Sequence, residues 1–461
     1  MVATTAAASG VVLAADLPRR PFRFGDCSLE GEPDPDVHRR APPRCDPRAA
    51  AARSIRAVSA GESLERALDA YRDHPEQALI FELCYGVLRH WFSLSEWLDS
   101  QLRKPLRKKD LDVYCLMLVG TYQLQYSAIA NYAAVNLAVE AARHLGKGWA
   151  CGLVNSVLRT PKKSVEPSIE ARFEAPTWLI QSIQRHYPEW ANKILQANNT
   201  RAPMTLRVNR NRQTAESFAQ VLGNQGIPTV PGNLPNSLSL ATPQAANTIP
   251  GYSDGWFTVQ DEASQRVIQL LAPQPSTRVL DACAAPGIKA LQLLEAHQDI
   301  DLTAIDMDAT RSSFGENESL RLGLPFKLRA ANATQQDWWD GVLFDSILID
   351  APCTGTGTLR RKPDIKVHRT HEDVIRLQRR QQDLLCNLWH MLASGGTLLY
   401  STCSILPDEN DSVIRHFLDQ AADAVTAPIS ANWGHATRYG RQSLPEEGGA
   451  DGFFYSRITK L

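Results

Sequence analysis

Ser346-Ile347-Leu348-Ile349-Asp350-Ala351-Pro352-Cys353-Thr354-Gly355-Thr356-Gly357 is the stretch on which the reading of this chain turns. The run Ser346 to Ile349 has no polar alternation, as expected of a parallel strand covered on both faces. It ends in the carboxylate of Asp350, and a turn then presents the thiol of Cys353. Further along the pattern recurs in Gly396-Thr397-Leu398-Leu399-Tyr400-Ser401-Thr402-Cys403, where a second β-prone run ends in a cysteine. Ligands of open α/β sheets bind beyond the carboxyl ends of strands. Asp350, Cys353 and Cys403 therefore stand where chemistry is done.

Working outward, Arg278-Val279-Leu280-Asp281 reads as a strand, Ala290 to Leu294 as a helix, and Leu302 to Asp306 as the next strand. Strand–helix alternation of this kind implies a parallel sheet, here from residue 255 to 461. Between the first strand and its helix lies Cys283-Ala284-Ala285-Pro286-Gly287-Ile288-Lys289. Small residues let a backbone pass close to a ligand at a helix N-terminus. Asp306 closes the second strand, where a carboxylate accepts the hydroxyls of a ribose. A single glycine without GxGxxG argues against a pyrophosphate. A nucleoside without one, such as S-adenosylmethionine, fits better.

N-terminal to this sheet the signals change. Residues 163–254 read as a helical linker, with Trp178 to Leu195 as one helix, plus a small α+β module. That module has strands at Thr205–Asn209 and Ser237–Leu240 and a helix around Phe218–Leu222. Residues 54–162 read as an all-helical domain: in Leu111 to Leu118, apolar side chains at 111, 114, 115 and 118 share one face. Arg103-Lys104-Pro105-Leu106-Arg107-Lys108-Lys109 and Arg360-Arg361-Lys362-Pro363-Asp364-Ile365-Lys366 are basic stretches suited to phosphates or to solvated surface. Residues 1–53, rich in Ala, Pro, Arg and Asp, read as a disordered extension.

Bulk properties exclude several classes. The 461 residues carry a formal net charge of −1, so nucleic-acid binding has to come from local patches. Nine widely spaced cysteines with no CxxC argue against a disulfide framework or a zinc site, and for a reducing cytoplasm. No run reaches the length of a membrane span.

Two thiols and an acid suit one reaction in particular. C5 of cytosine is a poor nucleophile until a thiolate adds at C6, with a carboxyl group assisting at N3. C5 then takes a methyl from a sulfonium, loses its proton and expels the thiol. The residue types alone leave open which cysteine attacks. Methylation of an exocyclic amine would need neither.

Asp350-Ala351-Pro352-Cys353, Ser401-Thr402-Cys403-Ser404 with Pro407-Asp408-Glu409-Asn410, and Asp451-Gly452-Phe453-Phe454-Tyr455 together resemble the RNA cytosine-C5 methyltransferases. Glu82 to Arg89 and Gly152 to Arg159 resemble the NusB-like helical domain of the bacterial small-subunit methyltransferase B branch of that family. The resemblance runs from about residue 55 to 461. It implies a multidomain protein: a NusB-like RNA-binding domain, a small α+β RNA-binding module and a Rossmann-like class I methyltransferase domain. It also implies S-adenosylmethionine as cofactor, 16S ribosomal RNA as partner, no metal, no membrane and a monomer in the cytoplasm. By resemblance Cys403 is the nucleophile, Cys353 assists product release and Asp350 lies near the reacting base. The cofactor segment is then Cys283, Ala284, Ala285, Pro286, Gly287, Ile288 and Lys289, with Asp306 on the ribose. Two positions depart from the family pattern. Ile288 stands where a second glycine is usual, and Asn332 where an aspartate near the adenine is usual. Both bear on cofactor affinity, and they are the support for the rival expectation, an RNA-binding assembly factor with a degenerate cofactor site.

Overall fold

A computed structural model describes residues 45–160, 166–297, 299–308, 312–324 and 326–461. Seven helices come first: α1 (Pro47–Ser59), α2 (Leu64–Asp69), α3 (Gln77–Arg89), α4 (Trp91–Gln101), α5 (Leu111–Tyr126), α6 (Asn131–His144) and α7 (Cys151–Leu158). They enclose one apolar core, with α5 buried on nearly every side from Asp112 to Gln123.

The chain is ordered earlier than composition implied. α1 begins at Pro47, so residues 45–53 are not part of a disordered extension, and residues 1–44 lie outside the described residues. The Asp46 carboxylate caps the helix, accepting from Arg48 N and Ala49 N, and Pro47 sits at the first helical position, where its missing N–H costs nothing. Ala49 to Ala52 are fully buried. Their small side chains bring α1 close to its neighbours, and Arg48 is held inside by Gln123 Oε1 at 2.8 Å.

Three short helices follow: α8 (Ile169–Phe173), α9 (Thr177–His186) and α10 (Ala191–Ala197). The single helix expected over Trp178–Leu195 is two, because Pro188 lacks the N–H that would continue the ladder. The small module comprises β1 (Met204–Val208), α11 (Ala215–Asn224), β2 (Thr229–Pro231), β3 (Ser237–Leu240) and β4 (Phe257–Val259). Its antiparallel sheet has the order β2-β3-β1-β4. Since Phe257 pairs with Val208 and Val259 with Leu206, this sheet extends past the boundary expected at residue 254.

The C-terminal part contains α12 (Glu262–Leu271), β5 (Arg278–Asp281), α13 (Ile288–Ala296), β6 (Asp301–Asp306), α14 (Ser312–Leu322), β7 (Leu328–Ala330), β8 (Phe344–Asp350), α15 (Ile365–His368), α16 (His371–Trp389), β9 (Leu392–Thr402), α17 (Asp411–Leu418), β10 (Ala424–Ala427), β11 (His435–Ala436), β12 (Arg441–Ser443) and β13 (Phe453–Lys460). These nine strands form one sheet. β7-β6-β5-β8-β9 are parallel neighbours in that order, β13 joins β9 antiparallel, and β12 and β10 flank β13. The strand order reverses at β5, between β6 and β8, the position at whose carboxyl ends open α/β sheets take their ligands.

The basic stretch beside Cys353 does not face outward as expected. Arg360 is 1 % exposed. Its Nε donates to Asp451 Oδ1 (2.6 Å) and its terminal nitrogens to Glu446 O (2.7 Å) and Gly449 O (2.6 Å). Arg361 bridges Asp451 and Asp261. Lys366, 3 % exposed, donates to Arg89 O at 2.6 Å and to Asn199 Oδ1 at 3.1 Å, joining the helical domain to the sheet domain. Burial pulls its pKa down to about 7. These cations satisfy internal acceptors and are taken from any phosphate-binding role. Lys362, Arg376 and Arg379 remain exposed, as do Arg103, Lys104, Arg107, Lys108 and Lys109 in the loop between α4 and α5.

Candidate active site

β8 and β9 lie side by side with Asp350 opposite Ser401, so the residues just past them meet. The result is close: Cys353 Sγ and Cys403 Sγ are 3.4 Å apart, both partly buried. The turn after Cys353 is held against the Cys403 loop by Gly357 N donating to Cys403 O at 2.9 Å. Gly357 has to be glycine, because a Cβ there would lie 2.1 Å from Gly452 O. This explains both the Thr356-Gly357 and the Asp451-Gly452 pairs of the sequence.

The contact affects the two thiols in opposite directions. The hydrogen bond with Cys353 holds the Cys403 pKa below the ordinary thiol value against the cost of burial, and the Lys362 and Lys289 ammonium groups act in the same direction. The same bond, followed by burial, raises Cys353 well above it. Of the pair, Cys403 is thus the readier to ionise. Cys283, in the neighbouring turn, is a different case, since burial pushes its thiol up and leaves it inert.

Asp350 is an acceptor twice over. Its Oδ1 receives Ser401 Oγ at 3.0 Å and its Oδ2 receives Lys289 Nζ at 2.6 Å. Burial disfavours the Lys289 ammonium, but Asp350 and then Asp281 outweigh it and keep the pKa above normal. Lys289 therefore links the cofactor turn to the thiol site.

That turn is built by Gly287 at φ +105°, where a Cβ would meet the Phe326 ring at 2.8 Å. Ile288 comes one residue later, as the first residue of α13, and is not among the residues with positive φ. The strained position thus falls on the glycine the chain retains, and the β-branched residue sits where helical backbone accepts it. Asp306 Oδ2 accepts from Ala285 N (3.0 Å) and Oδ1 from Asp308 N (2.8 Å), so the carboxylate is fixed with lone pairs to spare. Asn332 follows β7 beside it, since Ala331 N donates to Asp306 O. Asn332 Oδ1 accepts from Thr334 N and Thr334 Oγ1, which leaves its NH2 to be presented to a ligand.

Whether these residues fit S-adenosylmethionine is tested best by Asp281, which sequence reasoning treated only as a strand end. It is fully buried, and neither carboxylate oxygen has a hydrogen-bond partner of good geometry, the nearby Cys283 N–H easing its burial only slightly. Burial pushes its pKa up to about 7, Lys289 opposing and Asp350 and Asp306 adding to the rise. A buried acid left unsatisfied at the end of β5, beside the cofactor turn, matches a ligand carrying an ammonium group. The chemistry of the residues present fits such a cofactor: a buried acid for an ammonium group, a fixed carboxylate with spare lone pairs for hydroxyls, and a free amide for a base edge. Ser401 and Glu409 were also missed as functional residues. Both lay inside quoted motifs, yet only tertiary contact reveals what they hold. Among the described residues no group of His, Cys, Asp or Glu could hold a metal, and no helix is long and apolar enough to cross a membrane.

Comparison with known proteins places this geometry. The model for "16S rRNA methyltransferase RsmB/F" matches residues 268–459. The NusB family model matches 46–163, and an RsmF/B-like ferredoxin-like domain matches 175–247. A probable ribosomal RNA small subunit methyltransferase B of Coxiella burnetii is 41% identical over 83% of this chain and 92% of its own length. The chain belongs to the RsmB/F family of 16S rRNA methyltransferases. Ribosomal RNA small subunit methyltransferase B of Salmonella arizonae is 38% identical over 87% of this chain and 96% of its own. The solved structure named PH0851 superposes with a TM-score of 0.80, covering 91% of this chain and 99% of that one at 22% identity, a likeness of fold. The expected architecture of NusB-like helical domain, small ferredoxin-like module and methyltransferase sheet holds, and the chain is an rRNA methyltransferase by family.

Proposed function

We propose that the chain methylates C5 of a cytosine in 16S rRNA through a covalent bond between Cys403 and C6, with S-adenosylmethionine as donor. The observation that carries this reading is the 3.4 Å approach of two thiols at the carboxyl ends of β8 and β9, with the proton affinity of Cys403 lowered by that contact.

The residues divide the work as follows. Cys403 adds as thiolate to C6, so that C5 becomes nucleophilic. The Lys289–Asp350 pair, sharing a short hydrogen bond beside the thiols, would supply the proton-bearing partner for N3. S-adenosylmethionine, when bound, supplies a methyl group on a sulfonium for C5. Once C5 carries the methyl, its proton passes to solvent water as base, and the proton held at N3 returns to the Lys289–Asp350 pair. The electrons of that C–H bond re-form the C5–C6 double bond, and the Cys403 S–C6 bond breaks. Cys353, whose proton affinity is raised and which lies 3.4 Å from the departing sulfur, assists this release by hydrogen-bonding the sulfur as it regains its negative charge. A target base has to leave any stack to reach a partly buried thiol, so a cytosine in a loop or other unpaired segment of the RNA is the natural substrate.

The test is methyl transfer from labelled S-adenosylmethionine to unmethylated small-subunit RNA by the full chain, with bisulfite mapping of the product. One protected cytosine is expected, absent with Cys403→Ala. Activity retained in Cys403→Ala would point to an exocyclic amine and sink the thiol mechanism. RNA binding without any transfer would favour the assembly-factor alternative.

A further inference from the structure

Cys353 and Cys403 sit on separate loops, and their contact depends on something that holds those loops together. We propose that Glu409 is a positioning residue, a buried carboxylate clamp that sets the distance between the two thiols. The proposal rests on the two-thiol reading of the site above.

Glu409 ends the short 3-10 turn Pro407–Glu409 and is 0 % exposed. Its Oε1 accepts from Thr354 N at 2.8 Å and from Gln381 Nε2 at 3.2 Å. Its Oε2 accepts from Thr354 Oγ1 at 2.5 Å and from Ser404 Oγ at 2.6 Å. Thr354 is the residue after Cys353, and Ser404 the residue after Cys403. Gln381, on α16, also donates to Pro352 O at 2.9 Å, so the Cys353 peptide is gripped from both sides. One carboxylate thereby ties the chain flanking each thiol to the same point.

Holding two loops together does not in itself call for an acid. A buried carboxylate without a cation is costly unless its lone pairs are filled, and an apolar side chain would fill the space more cheaply. Here four donors converge on two oxygens, and the fit is one only an ionised carboxylate satisfies fully. Burial raises the pKa of Glu409, while Ser404, Thr354 and Gln381 act to lower it. The geometry this enforces matters to the chemistry, because the lowered proton affinity of Cys403 depends on its hydrogen bond with Cys353 across 3.4 Å. Loosening the clamp weakens that bond and raises the proton affinity of Cys403. Glu409 touches neither sulfur, so it acts through its neighbours.

The experiment uses two full-length variants, Glu409→Gln, which keeps the shape, and Ser404→Ala, which keeps the charge and removes one donor. Cys403 alkylation by iodoacetamide is followed against pH by peptide mass spectrometry, beside kcat and KM for methyl transfer and the melting temperature. In both variants the alkylation midpoint of Cys403 is expected at higher pH than in the wild type. kcat should fall about 10- to 100-fold, with KM for RNA and cofactor within about threefold, since a misplacement of about 1 Å costs on that order. An unchanged alkylation profile in a folded Glu409→Gln protein overturns the proposal, even if activity drops along with stability. If Glu409→Gln does not fold, Ser404→Ala carries the same test. A wild-type protein that fails to methylate RNA would count against the methyltransferase mechanism, while the alkylation profiles would still decide for or against the clamp.

Discussion

Replacing Asp281 by asparagine should stabilise the ligand-free protein at alkaline pH. The folded-state pKa of this carboxyl is raised to about 7 by burial, and an aspartate in an unfolded chain titrates near 4. The folded state therefore binds the proton more tightly. Its contribution to stability is fully present below the unfolded value and is lost as pH rises through 7. Integrating between pH 5 and pH 8 gives a loss of about 2 to 3 kcal/mol in the wild type, and the uncharged amide of the variant contributes none of it. The difference between the two proteins, not either absolute stability, is the quantity to measure, because other groups titrate equally in both. Urea titrations of the full chain at the two pH values, followed by tryptophan fluorescence, should show the variant gaining about 2 to 3 kcal/mol on the wild type as pH rises. Calorimetry should show the opposite effect on function. If Asp281 receives the cofactor ammonium, Asp281→Asn removes a charge-assisted bond and weakens S-adenosylmethionine binding by at least about tenfold. A stability difference that stays the same at pH 5 and pH 8 would refute the assignment of a buried, proton-binding acid at this position.

Three further outcomes follow from the contacts. Arg360→Ala leaves the buried Asp451 with Arg361 as its remaining cation and opens two carbonyls, so a loss of about 3 to 5 kcal/mol is expected in chemical denaturation. Gly287→Ala forces a Cβ onto the Phe326 ring at positive φ and should abolish measurable cofactor binding, whereas Ile288→Gly should change affinity less than about threefold and cost the helix about 1 kcal/mol. A tenfold tightening in Ile288→Gly would show that the departure at 288 does limit the cofactor site. Cys353→Ala removes the hydrogen bond to Cys403, so alkylation of Cys403 should move to higher pH, and the RNA adduct should accumulate as a slow band on a denaturing gel.

The exposed cations of the loop Arg103 to Lys109, and the buried Arg360 and Lys366 with the half-buried Arg361, teach the same lesson from opposite sides. In sequence the two stretches are alike, charge-dense and proline-containing. One is exposed between two helices of the N-terminal domain. The other runs back under Asp451 and the helical domain, and its charges are spent on acceptors far away along the chain. Charge density is a local property, whereas the partner that neutralises a charge is not.

Much of this protein was already fixed by local pattern. The strands Arg278–Asp281 and Ser237–Leu240 lie where alternation and apolar runs put them, and Asp350, Cys353 and Cys403 follow strands because strands end where the run of β-formers ends. What period and composition cannot carry is distance. That two cysteines fifty positions apart come to 3.4 Å, that an aspartate at a strand end has no partner of good geometry, and that one glutamate holds both thiol loops are consequences of the order in which strands lie in the sheet. Strand order is set by the packing of helices on both faces, a long-range balance that no short window of sequence contains.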